Sequence, residues 1–177
     1  MPVIDLTYPE GALQPEARSE AIERLTEALL RHEGAPDNDQ TRAMSRCFVH
    51  ELPRHAINVG GRPIEQATYR VVMTVPDGTA VTGRGPLAGA AREALVREAT
   101  EIILTAEGSE PTPVNAGRVF CLLNVVPDGH WGGLGAVFRI EDIVALAAPE
   151  FPEQTPLAAR AREALSEFVK RNGALAR

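Results

Sequence analysis

Residues 21–34, AIERLTEALLRHEG, return in altered form 74 residues later as residues 95–108, LVREATEIILTAEG. Apolar residues recur every three or four positions in both stretches, which is typical of an amphipathic helix. Each stretch ends in a glycine, Gly34 or Gly108, of the kind that closes a helix C-terminus. Similarity at a fixed spacing indicates a duplicated chain.

The repeat extends to both sides of these predicted helices. Before each one stands a β-like run and a turn, VIDLTYPEG in the first copy and RVVMTVPDG in the second. After each one the spacing of 74 residues continues through a strand-like run and pairs Cys47 with Cys121, Pro53 with Pro127 and Gly61 with Gly135. The second copy carries an additional loop, TAVTGRG, before its helix. Each copy is therefore predicted to be a β-α-β unit.

A strand, a crossover helix and a second strand are most simply parallel, with a right-handed crossover. We expect an α+β fold in which residues 2–63 and 68–139 form two tandem β-α-β repeats. The repeats would join edge to edge in a four-stranded mixed sheet with both helices on one face. The other face would be apolar and uncovered, which favours oligomerisation. Residues 1–147 are predicted to form a single domain, and residues 148–177 a C-terminal helical extension.

Composition narrows the function classes. The chain of 177 residues has a formal net charge of −6 and no basic stripe, so nucleic-acid binding is not expected. It contains neither an apolar run long enough for a membrane span nor a signal peptide, which predicts a cytoplasmic protein. Cys47 and Cys121 lie in apolar runs and are interpreted as buried free thiols. Neither metal-ligand spacing nor a glycine-rich nucleotide fingerprint is present, and no cofactor is expected.

The chain begins with Met1 and Pro2, directly before the first predicted strand. Proline is tolerated at the first residue of a strand, so Pro2 is open to a purely structural interpretation. The alternative is that its nitrogen performs chemistry, which requires removal of Met1. Tyr69 stands at the corresponding position of the second copy, where an internal residue has no free amine. One active proline per chain is therefore expected.

A proline behind the start methionine, at the head of a duplicated β-α-β unit, resembles the tautomerase superfamily. The similarity is to 4-oxalocrotonate tautomerase, the cis-3-chloroacrylic acid dehalogenase group and macrophage migration inhibitory factor. It is carried by Pro2-Val3-Ile4, by the turn Gly34-Ala35-Pro36 and by the hairpin GHWGGLG at 129–135, and it covers residues 2–136.

The resemblance implies that Pro2 is a catalytic acid or base. It also implies that Arg46 binds a substrate carboxylate and that Trp131 walls the pocket. Less specific candidates for substrate binding are Arg84 in the additional loop, Tyr69 beside a neighbouring subunit, and Arg118. The structural alternatives are a solvated strand residue for Arg46, a surface loop for Arg84 and core or interface packing for Trp131.

The activity implied by the resemblance is cofactor-free keto–enol tautomerisation of a small carboxylated 2-oxo or 2-hydroxy acid by a homotrimer. An α-amino group has a pKa of about 7.7–8.0, and apolar surroundings lower that pKa toward the value best suited to proton transfer. Asn124 and Leu29 stand where the dehalogenase pattern has a glutamate and a histidine, so dehalogenation is not expected. The alternatives are a hydratase or decarboxylase, and a non-catalytic trimer that binds a ligand or a protein.

Overall fold

The computed structural model describes residues 2–83, 86–133, 135–147 and Ser166. The elements of the first copy are β1 (Val3–Pro9), α1 (Pro15–Glu33), α2 (Asp39–Met44), β2 (Arg46–Leu52), a short 3-10 helix (Arg54–Ala56), β3 (Asn58–Val59) and β4 (Arg62–Pro63). Those of the second copy are β5 (Tyr69–Pro76), α3 (Pro86–Glu107), α4 (Pro113–Ala116), β6 (Val119–Val126), β7 (Trp131–Gly133), β8 (Ala136–Phe138) and α5 (Ile140–Leu146).

The main sheet has the strand order β2-β1-β5-β6. Strands β1 and β2 are parallel, β5 and β6 are parallel, and the two pairs join through the antiparallel contact between β1 and β5. This is the mixed four-stranded sheet expected from two β-α-β repeats. The extension predicted for residues 148–177 lies outside the described residues except for Ser166, which is helical.

The strand register confirms the correspondence between the copies. Ile4 lies opposite Cys47 in the first copy, and Val71 lies opposite Cys121 in the second. Tyr69, two residues before Val71, is therefore the structural counterpart of Pro2.

Helices α1 and α3 pack against each other on one face of the sheet. The core beneath them comes from alternate residues of the two central strands and the inner faces of both helices, with Leu6, Met73, Leu25, Leu29, Leu95 and Ile102 almost completely buried. Full burial of one such side chain contributes about 1.5–3 kcal/mol, so this layer stabilises the fold. The alternation in β1 matches a strand with one covered face.

The opposite face of the sheet is open in the single chain, but it is mixed rather than apolar as expected, because Asp5, His50 and Arg70 share it with exposed apolar side chains. Phe48 on β2 is 53% exposed, and Phe120 and Leu122 on β6 are 57% and 46% exposed. An apolar patch of this kind is typical of an interaction surface. Cys47 and Cys121 are free thiols, as the sequence predicted, but they are half-buried rather than fully buried.

Two short hairpins and α5 complete the described chain. Hairpin β7–β8 leads into α5, where Phe138, Ile143 and Leu146 form a small second core with Met44 and Trp131. Within the described residues, no helix combines the length and apolar character of a membrane span. The same residues contain no group of three His, Cys, Asp or Glu side chains arranged to hold a metal ion.

Candidate active site

Pro2 is buried at the head of β1, where its carbonyl oxygen accepts a hydrogen bond of 3.2 Å from the backbone N–H of Arg46. It lines a cavity of about 370 Å³ enclosed by the end of α1, by α2, by the turn after β5 and by α5. The walls are mainly apolar and include Leu30, Met44, Pro76, Ile140, Ile143 and Val144. The first residue after Met1 thus faces a largely apolar, partly open cavity.

Gly78 allows α5 to approach this cavity closely. It adopts a φ of 97°, a conformation that L side chains rarely adopt, and a Cβ built there would lie 2.9 Å from Cγ1 of Ile140. Any side chain at this position would push α5 away from the turn after β5. The glycine therefore sets the distance between two walls of the cavity.

Glu33 is the acidic group of the Pro2 cavity. It is the last residue of α1, only 6% exposed, and its Oε1 atom has no hydrogen-bond partner among the described residues. Burial raises the pKa of Glu33 to about 7, and the positive charge of the chain's amino group opposes that rise only in part. The carboxyl group is therefore poised to gain or lose a proton near neutral pH.

The local sequence explains why Glu33 is held there. Gly34 ends α1 in the left-handed conformation at a φ of 77°, and its N–H donates to the carbonyl of Arg31. The carbonyl of Glu33 itself accepts a 3.1 Å hydrogen bond from the N–H of Ala80. The backbone on both sides of the carboxyl group is thus fixed, while the carboxyl group itself faces the cavity.

Arg46 and Trp131 come together in a second cavity of about 470 Å³, which Phe48 and Met44 also line. Arg46 pairs with Val3 on the open face of the sheet, whereas Pro2 lies on the helix face, so the side chains diverge. The Arg46 guanidinium donates to the carbonyl oxygens of Ala43 and, at 2.8 Å, Ser45. It has no carboxylate partner in the described part of the chain. Met44 lies between the two cavities and lines both.

Tyr69 and Arg118 lie at the counterpart of the Pro2 site, in the second copy. Arg118 binds Glu107 in a two-pronged ion pair, with Nη1–Oε1 at 2.7 Å and Nη2–Oε2 at 2.6 Å, and also donates to the carbonyl of Ala67. Burial raises the pKa of Tyr69, and the Glu107 carboxylate raises it further, so the phenol stays protonated. Its buried hydroxyl interacts with the Glu107 carboxylate and the Arg118 guanidinium.

The structure therefore distributes the predicted site residues over three places. Pro2 occupies the first cavity, Arg46 and Trp131 share the second, and Tyr69 and Arg118 lie together in the second copy. Arg84 lies outside the described residues.

The sequence prediction missed Glu33 as a site residue. The signal that points to it is the repeat itself, because Glu33 and Glu107 occupy the same position at the ends of the two helices. At the spacing of 74 residues, the counterpart of Arg118 is Met44, so the first copy lacks the cation that binds the carboxylate in the second.

No protein-family model matches the chain, and no curated protein is significantly similar to it. Solved structures do match. Pt0534 inactivated by 2-oxo-3-pentynoate is 20% identical at a TM-score of 0.60, over 80% of this chain and 98% of that one. A fused 4-OT, described as a symmetric trimer, is 17% identical at a TM-score of 0.59, over 81% of this chain and 98% of that one. N1, a member of the cis-3-chloroacrylic acid dehalogenase family, is 14% identical at a TM-score of 0.60, over 93% and 99%. The chain has the fold of the tautomerase superfamily.

Proposed function

We propose that the protein is a cofactor-free keto–enol tautomerase whose general acid/base is the nitrogen of Pro2, freed by removal of Met1. The observation that carries the proposal is the position of Pro2, buried at the head of β1 and facing an apolar cavity of about 370 Å³. The fold shared with tautomerase-superfamily proteins supports the same conclusion. With Met1 in place the nitrogen would be an amide and unable to act as a base.

The chemistry follows from the surroundings of the amine. Apolar walls disfavour the ammonium form, which lowers the pKa of an amino group toward neutrality. A neutral secondary amine takes a proton from one atom of an enol or ketone and returns it to another. A substrate that fills the cavity would displace water from its apolar walls, which strengthens the polar contacts made to the substrate.

The proposed substrate is a small 2-oxo or 2-hydroxy acid. Arg46 is an arginine without a described carboxylate partner, beside Trp131 in the cavity that Met44 separates from the Pro2 cavity. An arginine of this kind binds a carboxylate through two parallel hydrogen bonds. We assign the carboxylate to Arg46, together with Arg84 of the additional loop.

We also propose a homotrimer built from the single domain of residues 1–147. The open face of the sheet exposes Phe48, Phe120 and Leu122, which a neighbouring subunit would cover. The fused 4-OT structures that share the fold are trimers. Such packing would place the open face of one subunit, which carries Arg46, beside a neighbour.

The test compares wild type with Pro2→Ala on a 2-hydroxydienoate and on the enol of a phenylpyruvate-like acid, followed by absorbance. We expect Pro2→Ala to lower kcat roughly a hundredfold or more, as for loss of a general acid/base. The intact mass of wild type should show that Met1 has been removed. Equal rates for the two proteins would rule out the assignment of Pro2.

A second candidate is a non-catalytic member of the fold that binds a small ligand. The observation that favours it is the charge of the Pro2 cavity, whose described lining includes no cationic side chain. In that case wild type would show no rate above buffer on either substrate, whether or not Met1 is removed.

A further inference from the structure

We propose that Glu33 is the second proton-transfer group of the Pro2 cavity, exchanging a proton with the substrate oxygen while Pro2 exchanges one with the substrate carbon. The proposal rests on the proposed function and adds a second catalytic residue to it. It also defines the end of the substrate that enters this cavity, which is an uncharged carbonyl or enol oxygen rather than a carboxylate.

The first observation is an unsatisfied polar pair in one cavity wall. Oε1 of Glu33 and Oγ1 of Thr79 are both buried, both lack a hydrogen-bond partner among the described residues, and both residues line the Pro2 cavity. A buried polar group without a partner costs about 1–3 kcal/mol, so proteins seldom retain one unless it serves a purpose. A substrate oxygen that accepts the proton of Glu33 would give this carboxyl group a hydrogen-bond partner.

The second observation is the contrast with the other copy. Glu107 holds the same position at the end of α3, but Arg118 neutralises it through two hydrogen bonds. Met44 replaces that arginine at the Pro2 cavity. The carboxyl group of the first copy is therefore left without the partner that the second copy provides.

The charges facing Glu33 leave it able to exchange a proton. With Met1 present, the charged group that acts on Glu33 is the amino group of Met1; removal of Met1 transfers that role to the nitrogen of Pro2, the proposed base. From α1, His32 turns away to Glu98, at 2.9 Å from Oε2. On α5, the buried Asp142 accepts a 2.8 Å hydrogen bond from the backbone N–H of Arg139. No other ionisable side chain belongs to the described lining of the cavity.

The proton inventory of the step balances. Starting from a ketone, neutral Pro2 removes a proton from the α-carbon, and the electron pair of that C–H bond forms the C=C bond. The carbonyl oxygen takes the proton of the Glu33 carboxyl group and becomes the enol hydroxyl. Pro2 is left as an ammonium and Glu33 as a carboxylate. This pair performs the reverse reaction directly, or returns to its starting state when Pro2 passes its proton to Glu33.

The test compares Glu33→Gln, which keeps the shape but cannot exchange a proton, with Glu33→Asp and with Glu27→Gln as a matched control. Glu27 is an exposed residue of the same helix. We expect Glu33→Gln to lower kcat roughly a hundredfold with little change in KM, Glu33→Asp to be intermediate, and Glu27→Gln to match wild type. Circular dichroism and thermal unfolding of each variant establish that it is folded.

The pH profile separates a catalytic Glu33 from a merely structural one. Because the reactive pair carries one proton in total, wild type should show a bell-shaped kcat/KM, and Glu33→Gln should lose one of its two limbs. A Glu33→Gln variant with wild-type rates and an unchanged bell, alongside an inactive Pro2→Ala, would overturn the Glu33 assignment and leave Pro2 in place. Wild-type rates in Pro2→Ala would instead overturn the proposed function.

Discussion

The two copies of the β-α-β unit place a glutamate at the same point, the last residue of the long helix, and surround it differently. In the second copy, Arg118 pairs with Glu107, with side chains only 13% and 14% exposed. In the first copy, Met44 stands where that arginine would be, and Glu33 faces a cavity beside Pro2. The presence of Arg118 or of Met44 at this position thus distinguishes the ion-paired Glu107 from the unpaired carboxyl group that we propose to be reactive, Glu33.

The contrast also appears in the pKa values of the two carboxyl groups. Burial is the largest single influence on Glu107 and would raise its pKa, but the hydrogen bonds from Arg118, Ser109 and Tyr69, together with the charge of Arg118, lower the pKa overall. Burial raises the pKa of Glu33 to about 7 because no cationic side chain lies close to it among the described residues. Three predictions test this difference and a fourth tests Arg46 on the other face of the sheet, in order of decreasing effect.

Replacing Arg118 by methionine makes the second copy resemble the first. Glu107 would then be buried without its partner, and loss of one member of a buried ion pair costs about 3–5 kcal/mol. We expect urea denaturation to show a fall of that size in the free energy of unfolding. The double variant Arg118→Met, Glu107→Gln should recover much of the loss. A single variant as stable as wild type would show that the pair contributes little.

The stability of wild type should depend on pH through Glu33. Its pKa rises from 4.5 in the unfolded chain to about 7 in the fold, so the folded state binds more protons between these values. The free energy of unfolding should therefore decrease as pH rises from 4.5 through 7, by about 3 kcal/mol in total. Urea denaturation at several pH values measures this, and in Glu33→Gln the decrease should disappear. The same decrease in both proteins would assign it to other groups.

Replacing Met44 by arginine makes the first copy resemble the second. We expect the new guanidinium to bind Glu33, to lower its pKa well below 7 and to occupy part of the cavity. Activity should fall roughly a hundredfold, which corresponds to about 2.7 kcal/mol. Steady-state kinetics and an NMR titration of the Glu33 carboxyl measure the two effects. The control Met44→Leu should retain activity, and a Met44→Arg variant with a pKa of about 7 at Glu33 would contradict the comparison.

Replacing Arg46 by alanine tests whether the open face of the sheet, which carries Arg46, binds the substrate carboxylate. Loss of a carboxylate contact should raise KM about tenfold for a carboxylated enol, equivalent to about 1.4 kcal/mol, with a smaller effect on kcat. The corresponding methyl ester should be affected less. The exposed Arg62 offers a control variant, Arg62→Ala, with an unchanged KM. An unchanged KM in Arg46→Ala would remove Arg46 from the site.

Much of the fold was predictable because it depends on local signals. The helical periodicity and Gly34 predicted the extent of α1, and the repeated spacing predicted that Tyr69 corresponds to Pro2. These features were predictable because they depend on patterns in the order of the residues and not on contacts between distant side chains.

The arrangement of the candidate site was less predictable because it depends on which side chains meet across the fold. The sequence left open which subunit supplies Arg46 to the site, and the register that pairs Arg46 with Val3 places it on the face of the sheet opposite Pro2 in this chain. Glu33 was seen only as the end of a helix. Its chemistry depends on Met44 and on the wall contributed by α5, which no local pattern indicates.

The central claim is that the nitrogen of Pro2 is the catalytic base. Its most direct test is to find which atom of the protein a reactive 2-oxo acid modifies. A neutral amine adds to the activated triple bond of 2-oxo-3-pentynoate, the compound that inactivates Pt0534. Peptide mass spectrometry after treatment should locate a single adduct on the nitrogen of Pro2, in a chain that has lost Met1, with matching loss of activity. An unmodified first peptide that still begins with Met1 would contradict the account.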